Sequence, residues 1–99
     1  MHQIDELNKQ KIINLITVLL PEAKIYLFGS RARGNNTERS DIDLALDIGA
    51  PIPRRIIGEI MSVLEATDII NSIDVVDLNG SISPTMRASI LKEGIVWKA

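Results

Sequence analysis

The chain has 99 residues, 45% of them hydrophobic and 24% charged, with a net charge of -2, no cysteine and one each of Trp, Tyr and Phe. That length suits one domain, 1–99, with an interior too small for a deep private substrate cavity, and the balance is that of a packed globule. Disulfides, thiolate nucleophiles and thiolate zinc sites are excluded, and the slight acidity and scarcity of aromatics argue against direct nucleic-acid binding through backbone attraction or stacked bases. The start "MHQIDELNKQ" lacks a basic, then apolar leader pattern, and the longest apolar runs, such as "LITVLL", fall far short of a bilayer span, so a cytoplasmic protein with no membrane attachment is expected.

Helices and strands alternate along the chain. Ile4, Leu7, Ile12, Leu15, Ile16 and Leu19 recur at near-helical spacing and predict an amphipathic helix over Gln3 to Leu20, stopped by Pro21. "KIYLFG" reads as a short strand, apolar on both faces, ending at Gly29. "SDIDLALDI", Ser40 to Ile48, alternates acids with apolar residues, which predicts a strand with one apolar and one acidic face. A helix from Arg54 to Ala66 carries Ile56, Ile57, Ile60, Met61 and Leu64 on its inner stripe. "SIDVVDL" is a further strand with Asp74 between two β-branched residues and Asp77 on the opposite face. Ser83 then caps a last helix that has Pro84 at its first position and Gly94 past its end, and "IVWKA" closes the sequence. The fold class is α/β (α+β), a small mixed sheet of three to four strands packed by helices.

The stretch "GSRARGNNTERSDIDL" carries the chemistry. Asp41 and Asp43 are two apart on a strand, so their side chains leave one face with Cα atoms about 6.6–6.8 Å apart. Carboxylates held that way repel unless a cation lies between them, and Mg²⁺ takes oxygen ligands from such a pair together with substrate phosphates. Asp74, central in the next apolar strand, would be costly there as an unpaired charge and would share that cation. Gly29 ends a strand, Ser30 is suited to cap a short helix made from "RAR", and the free N–H groups of that first turn point back at an anion, with Gly34 closing the turn. Together the two connections read as a nucleoside-triphosphate site.

"GSRARG", then "SDIDL", then an aspartate on the following strand resembles the DNA polymerase beta-like nucleotidyltransferase superfamily, and more closely the minimal nucleotidyltransferase (MNT) family, the antitoxin half of HEPN/MNT toxin–antitoxin pairs. The resemblance runs from the first helix to "ILKEGIVW" and implies the nucleotidyltransferase fold. It assigns Gly29 and Ser30 to the phosphate-binding turn, Asp41 and Asp43 to the metal ligands, and Asp74 to a third ligand that doubles as base. It implies ATP as substrate, two Mg²⁺ ions, and AMP transfer to a hydroxyl, a tyrosine of a HEPN-type toxin. Arg31 or Arg33 would neutralise the β- and γ-phosphates. The active face is expected to be an open shelf that a docked partner closes, so that the chain works in a hetero- or homo-oligomer.

Other readings stay open at this stage. A non-catalytic module could neutralise its partner by occlusion, although a binder has no need of three converging carboxylates. A two-carboxylate nuclease would leave the Gly-Ser turn unexplained. Asp47 and Asp77 read as solvent-facing or capping, Tyr26 as core or sheet edge, Trp97 as terminal packing or a partner contact, and Arg54 and Arg55 as a solvated helix start or an interface. His2, the only histidine, has no assigned role.

Overall fold

The computed structural model describes residues 5–37 and 39–99; the expectations for His2, Gln3 and Ile4 fall outside them. Four helices and four strands follow in the order α1 (Glu6–Leu19), β1 (Lys24–Phe28), α2 (Ser30–Arg33), β2 (Ile42–Asp47), α3 (Arg54–Glu65), β3 (Ile73–Asp77), α4 (Pro84–Glu93) and β4 (Ile95–Lys98). The strands form one mixed sheet in the order β3-β2-β1-β4, with β1 antiparallel to both β2 and β4, and β2 parallel to β3. A parallel neighbour requires a crossover, which α3 supplies. No described helix is long and apolar enough to cross a membrane.

Capping sets the helix boundaries. Asp5 accepts the Asn8 amide at 2.9 Å and starts α1 there. Ser83 accepts the Met86 amide at 3.0 Å, with Pro84 at the first position of α4, as the sequence predicts. Gly94 follows α4 in an extended conformation (φ -67°) and not a left-handed one. A side chain at Gly94 would lie 2.5 Å from the Ile90 carbonyl oxygen, so close packing against the helix end explains this glycine.

The sheet has two unequal faces. Ile25 and Leu27, Ile42, Leu44 and Leu46, and Val75 point to one side, where α1 (Ile12, Ile13, Ile16) and α3 (Ile60, Leu64) bury them in the main core. Trp97 of β4 joins this core, with the Lys9 ammonium 5.8 Å from the centre of its ring. On the other side Ile90 of α4 joins Ala45 and Leu78 in a small second cluster against half-buried Tyr26, Phe28 and Val76. "KIYLF" is therefore fully buried on one face only, because a single helix covers the other. Two apolar positions of the sequence-based stripes also prove to be exposed. Leu7 is 76% exposed in the first turns of α1, and Met61 lies on the rim of α3.

Candidate active site

The uncovered part of the second face lies where β1 ends and where β2 and β3 begin. Phe28, the last residue of β1, pairs with Asp43, and Asp43 pairs in turn with Asp74 across the parallel β2–β3 ladder. Register sets Phe28, Asp43 and Asp74 in one row, and the Gly29 turn follows directly on Phe28 and lies against the Asp43 side chain, so the turn and two of the carboxylates are brought together. Asp41 lies just ahead of β2 and is exposed.

Gly29 is the N-cap of α2, with φ 77° and ψ -154°, a conformation that L side chains rarely adopt. A Cβ there would strike the Asp43 carboxylate, its Cγ only 3.2 Å away. Conformation and close approach therefore both require glycine. Ser30 is the first helical residue and not the cap, a correction to the sequence reading: the cap contributes its backbone, and its carbonyl accepts the Arg33 amide at 3.2 Å. Gly34 closes the turn in the left-handed region (φ 80°), as expected.

The two arginines of the turn separate. Arg31 is 5% exposed, and its guanidinium donates to the Ser40 carbonyl from Nε (3.3 Å) and Nη2 (3.0 Å) and to the Thr37 carbonyl at 3.4 Å. It clasps the loop that leads into β2. Arg33 is exposed and lines a groove of about 450 Å³ with Phe28, Gly29, Ala32, Met86 and Ile90, between α2 and α4. Residues two apart on a helix do not share a face, so only one of the pair could have faced an anion, a signal already present in the sequence.

The carboxylates feel one another. The Asp43 carboxyl is pushed above its ordinary 3.8, first by burial, then by the charges of Asp74 and Asp41, with Arg33 and Arg31 acting in the opposite direction. Asp74, by contrast, is exposed at the second position of β3. The burial cost that the sequence suggests for Asp74 falls instead on Asp43, because β2 is a central strand and β3 an edge. Beyond Asp74 opens a second groove, of about 300 Å³, lined by Met61, Ile69, Ile70, Asn71 and Asp74. Among the described residues no group of three or more His, Cys, Asp or Glu side chains stands arranged to hold a metal ion. What is present is an oxygen-only pair, Asp43 and Asp74, with the charges of Arg33 and Arg31 nearby, the kind of pair to which Mg²⁺ binds when phosphates complete its shell.

Of the two roles expected for Asp47 and Asp77, solvent-facing or capping, both take the second, accepting backbone amides. Asp47 accepts the Gly49 amide at 2.8 Å and the Asn79 side chain at 2.7 Å; Asp77 accepts the Ile52 amide at 2.7 Å and the Asn79 amide at 3.0 Å. Sequence reasoning missed Asn71, whose side-chain amide donates to the same Ser40 carbonyl at 3.1 Å; a lone loop asparagine carries no pattern that would reveal it.

A family model described as polymerase beta nucleotidyltransferase matches residues 9–98. The chain is 32% identical over 92 residues to protein adenylyltransferase MntA of Shewanella oneidensis, a stretch that covers 92% of this chain and 65% of that protein, so it spans slightly less than two thirds of that relative. The fold superposes with a TM-score of 0.76 on a toxin–antitoxin crystal structure with AMP-PNP, at 30% identity, covering 91% of this chain and 72% of that one. It also superposes with a TM-score of 0.73 on a complex of tri-AMPylated Shewanella oneidensis HEPN toxin with MNT antitoxin, at 27% identity, covering 95% of this chain and 71% of that one. With the matching model spanning nearly its whole length and the turn and acids meeting on one sheet face, the chain belongs to the polymerase beta nucleotidyltransferase family.

Proposed function

We propose that residues 1–99 act as one nucleotidyltransferase domain that moves AMP from ATP to a hydroxyl, a tyrosine of a HEPN-type toxin, and so serves as its antitoxin. The observation that carries this reading is the Phe28–Asp43–Asp74 row with Gly29 packed against Asp43, so that a glycine-only turn abuts a carboxylate pair at one end of the sheet. The likeness to an adenylyltransferase and to an antitoxin complexed with an AMPylated toxin supports the reaction class and the partner. The AMP-PNP complex supports ATP as the nucleotide.

In this reading Gly29 and Ser30 hold the triphosphate through the first turn of α2, and exposed Arg33 neutralises its β- and γ-phosphates. Arg31, already committed to Ser40 and Thr37, is withdrawn from that role. Asp41, Asp43 and Asp74 would hold Mg²⁺, two ions in all, which when bound offsets charge on the attacking and leaving oxygens. Asp74, the exposed member of the pair, takes the proton of the acceptor hydroxyl. The hydroxyl oxygen forms its bond to the α-phosphorus as the bond to pyrophosphate breaks. A docked toxin completes the walls that the two grooves begin and orients the hydroxyl. A cytoplasmic setting accords with the absence of cysteine.

Mass spectrometry of a HEPN toxin co-expressed with this chain tests the proposal. AMP adducts on a toxin tyrosine are expected with the unaltered chain and none with Asp74→Asn. A toxin neutralised without any adduct would replace transfer by occlusion.

A further inference from the structure

Three side-chain N–H groups converge on one backbone oxygen. The Ser40 carbonyl accepts Arg31 Nε at 3.3 Å, Arg31 Nη2 at 3.0 Å and Asn71 Nδ2 at 3.1 Å. Arg31 comes from the phosphate turn and is almost fully buried. Asn71 comes from the approach to β3 and lines the groove that contains Asp74. The Ser40 hydroxyl meanwhile accepts the Thr37 amide at 2.8 Å, which folds the loop back on itself.

That carbonyl belongs to the peptide plane that joins Ser40 to Asp41. Asp41 stands outside the β2 ladder, which begins at Ile42, where the Ile42 amide donates to the Ser72 carbonyl at 2.8 Å. The orientation of the Asp41 backbone is therefore set on one side by the ladder and on the other by the Arg31–Ser40–Asn71 cluster. We propose that Arg31 and Asn71 are positioning residues, which lock the Ser40–Asp41 peptide and so hold Asp41 in register with Asp43 and Asp74 for a divalent cation. The proposal rests on the metal-dependent reading above. It also couples the two halves of the site, since one oxygen is gripped from the phosphate turn and from the acceptor side together. Groups that orient metal ligands in this way typically change metal affinity or activity by about 10–100-fold when removed.

The test uses the whole chain and Mn²⁺ as probe. Asn71→Ala is the main variant because Asn71 lies in a loop and its loss opens no core; Arg31→Lys, which keeps the charge but cannot make the forked contact, is the second. Three quantities are read on each: thermal midpoint, Mn²⁺ affinity by electron paramagnetic resonance, and the backbone order of Asp41 by NMR relaxation. Both variants are expected to stay folded, to bind Mn²⁺ about 10-fold or more weakly, and to show a more mobile Asp41 amide. Asn71→Gln, which restores a donor, should recover most of the affinity. A merely structural role would lower the midpoint and leave the Mn²⁺ affinity of the folded protein unchanged, and that result overturns the proposal. If the unaltered chain binds no Mn²⁺, the metal reading of the site fails on its own; the Asp41 amide still decides the cluster's role, since unchanged order in both variants would refute it.

Discussion

Asp43 and Asp47 leave the same face of the same strand, four residues apart, yet they face opposite environments. Asp47 is satisfied by the Gly49 amide and the Asn79 side chain, and its carboxyl titrates below the ordinary 3.8, chiefly through the Gly49 bond. Asp43 is half-buried beside two further carboxylates and titrates above 3.8. One end of the face is a completed structural motif; the other gathers like charges close together. A strand's acidic face is therefore not one feature: hydrogen-bond completion separates an acid that holds the fold from one left among like charges.

The largest effect expected is on rate. Asp74→Asn should slow AMP transfer by about 10²–10⁴-fold, the range for removing a positioned general base, while the thermal midpoint barely moves because Asp74 is exposed. Steady-state kinetics beside a melting curve checks this. The converse substitution belongs to the main core. Ile60→Ala, at a fully buried position, should cost about 2–5 kcal/mol in a denaturant titration, with transfer per folded molecule intact.

Smaller effects sharpen the contrast between the two aspartates. Asp47→Ala, which removes two hydrogen bonds to an ionised group, should cost about 1–3 kcal/mol at pH 7. Asp43→Asn should leave the metal-free protein as stable as before or more so, since it relieves repulsion. Their pH dependences run in opposite directions. A carboxyl with a lowered pKa stabilises the fold above 3.8, and Asp47's contribution is lost as pH falls through its folded value. A carboxyl with a raised pKa binds its proton more tightly in the folded state, so Asp43 takes stability away as pH rises from 3.8 through its folded value. Denaturation curves between pH 3 and pH 7 should therefore steepen for Asp43→Asn and flatten for Asp47→Asn; identical curves would break the comparison. The smallest change expected is Ser83→Ala, about 1 kcal/mol for a lost helix cap, read as a lower thermal midpoint.

What the sequence made legible is what depends on local spacing. The Pro84 and Ser83 start of α4, the parity of Asp74 and Asp77, and the alternation of β2 all follow from periods of 3.6 and 2, and the turn and acids come from one short stretch with fixed order. What was not legible depends on which elements lie across the sheet. Leu7 has the spacing of a core residue yet stands exposed in the first turns of α1, and "KIYLF" looks doubly buried until Tyr26 and Phe28 are seen to be only half-buried beside α4. Asp74 looks desolvated until β3 is found at the edge, which transfers the burial to Asp43. Arg31 and Arg33 look equivalent until the Thr37 and Ser40 carbonyls are seen to engage one of them.

The proposed function requires the Gly29 turn and the carboxylate row to form one site for nucleotide and metal. An NMR titration with Mg²⁺ and AMP-PNP tests it most directly, because it registers even weak binding to an open surface. The account predicts shifts concentrated at Gly29, Ser30, Asp43 and Asp74 that disappear in both Gly29→Val and Asp43→Asn while the rest of the spectrum stays folded. Equal shifts in either variant, or shifts centred on Asp47 and Asn79 at the other end of the face, would contradict it.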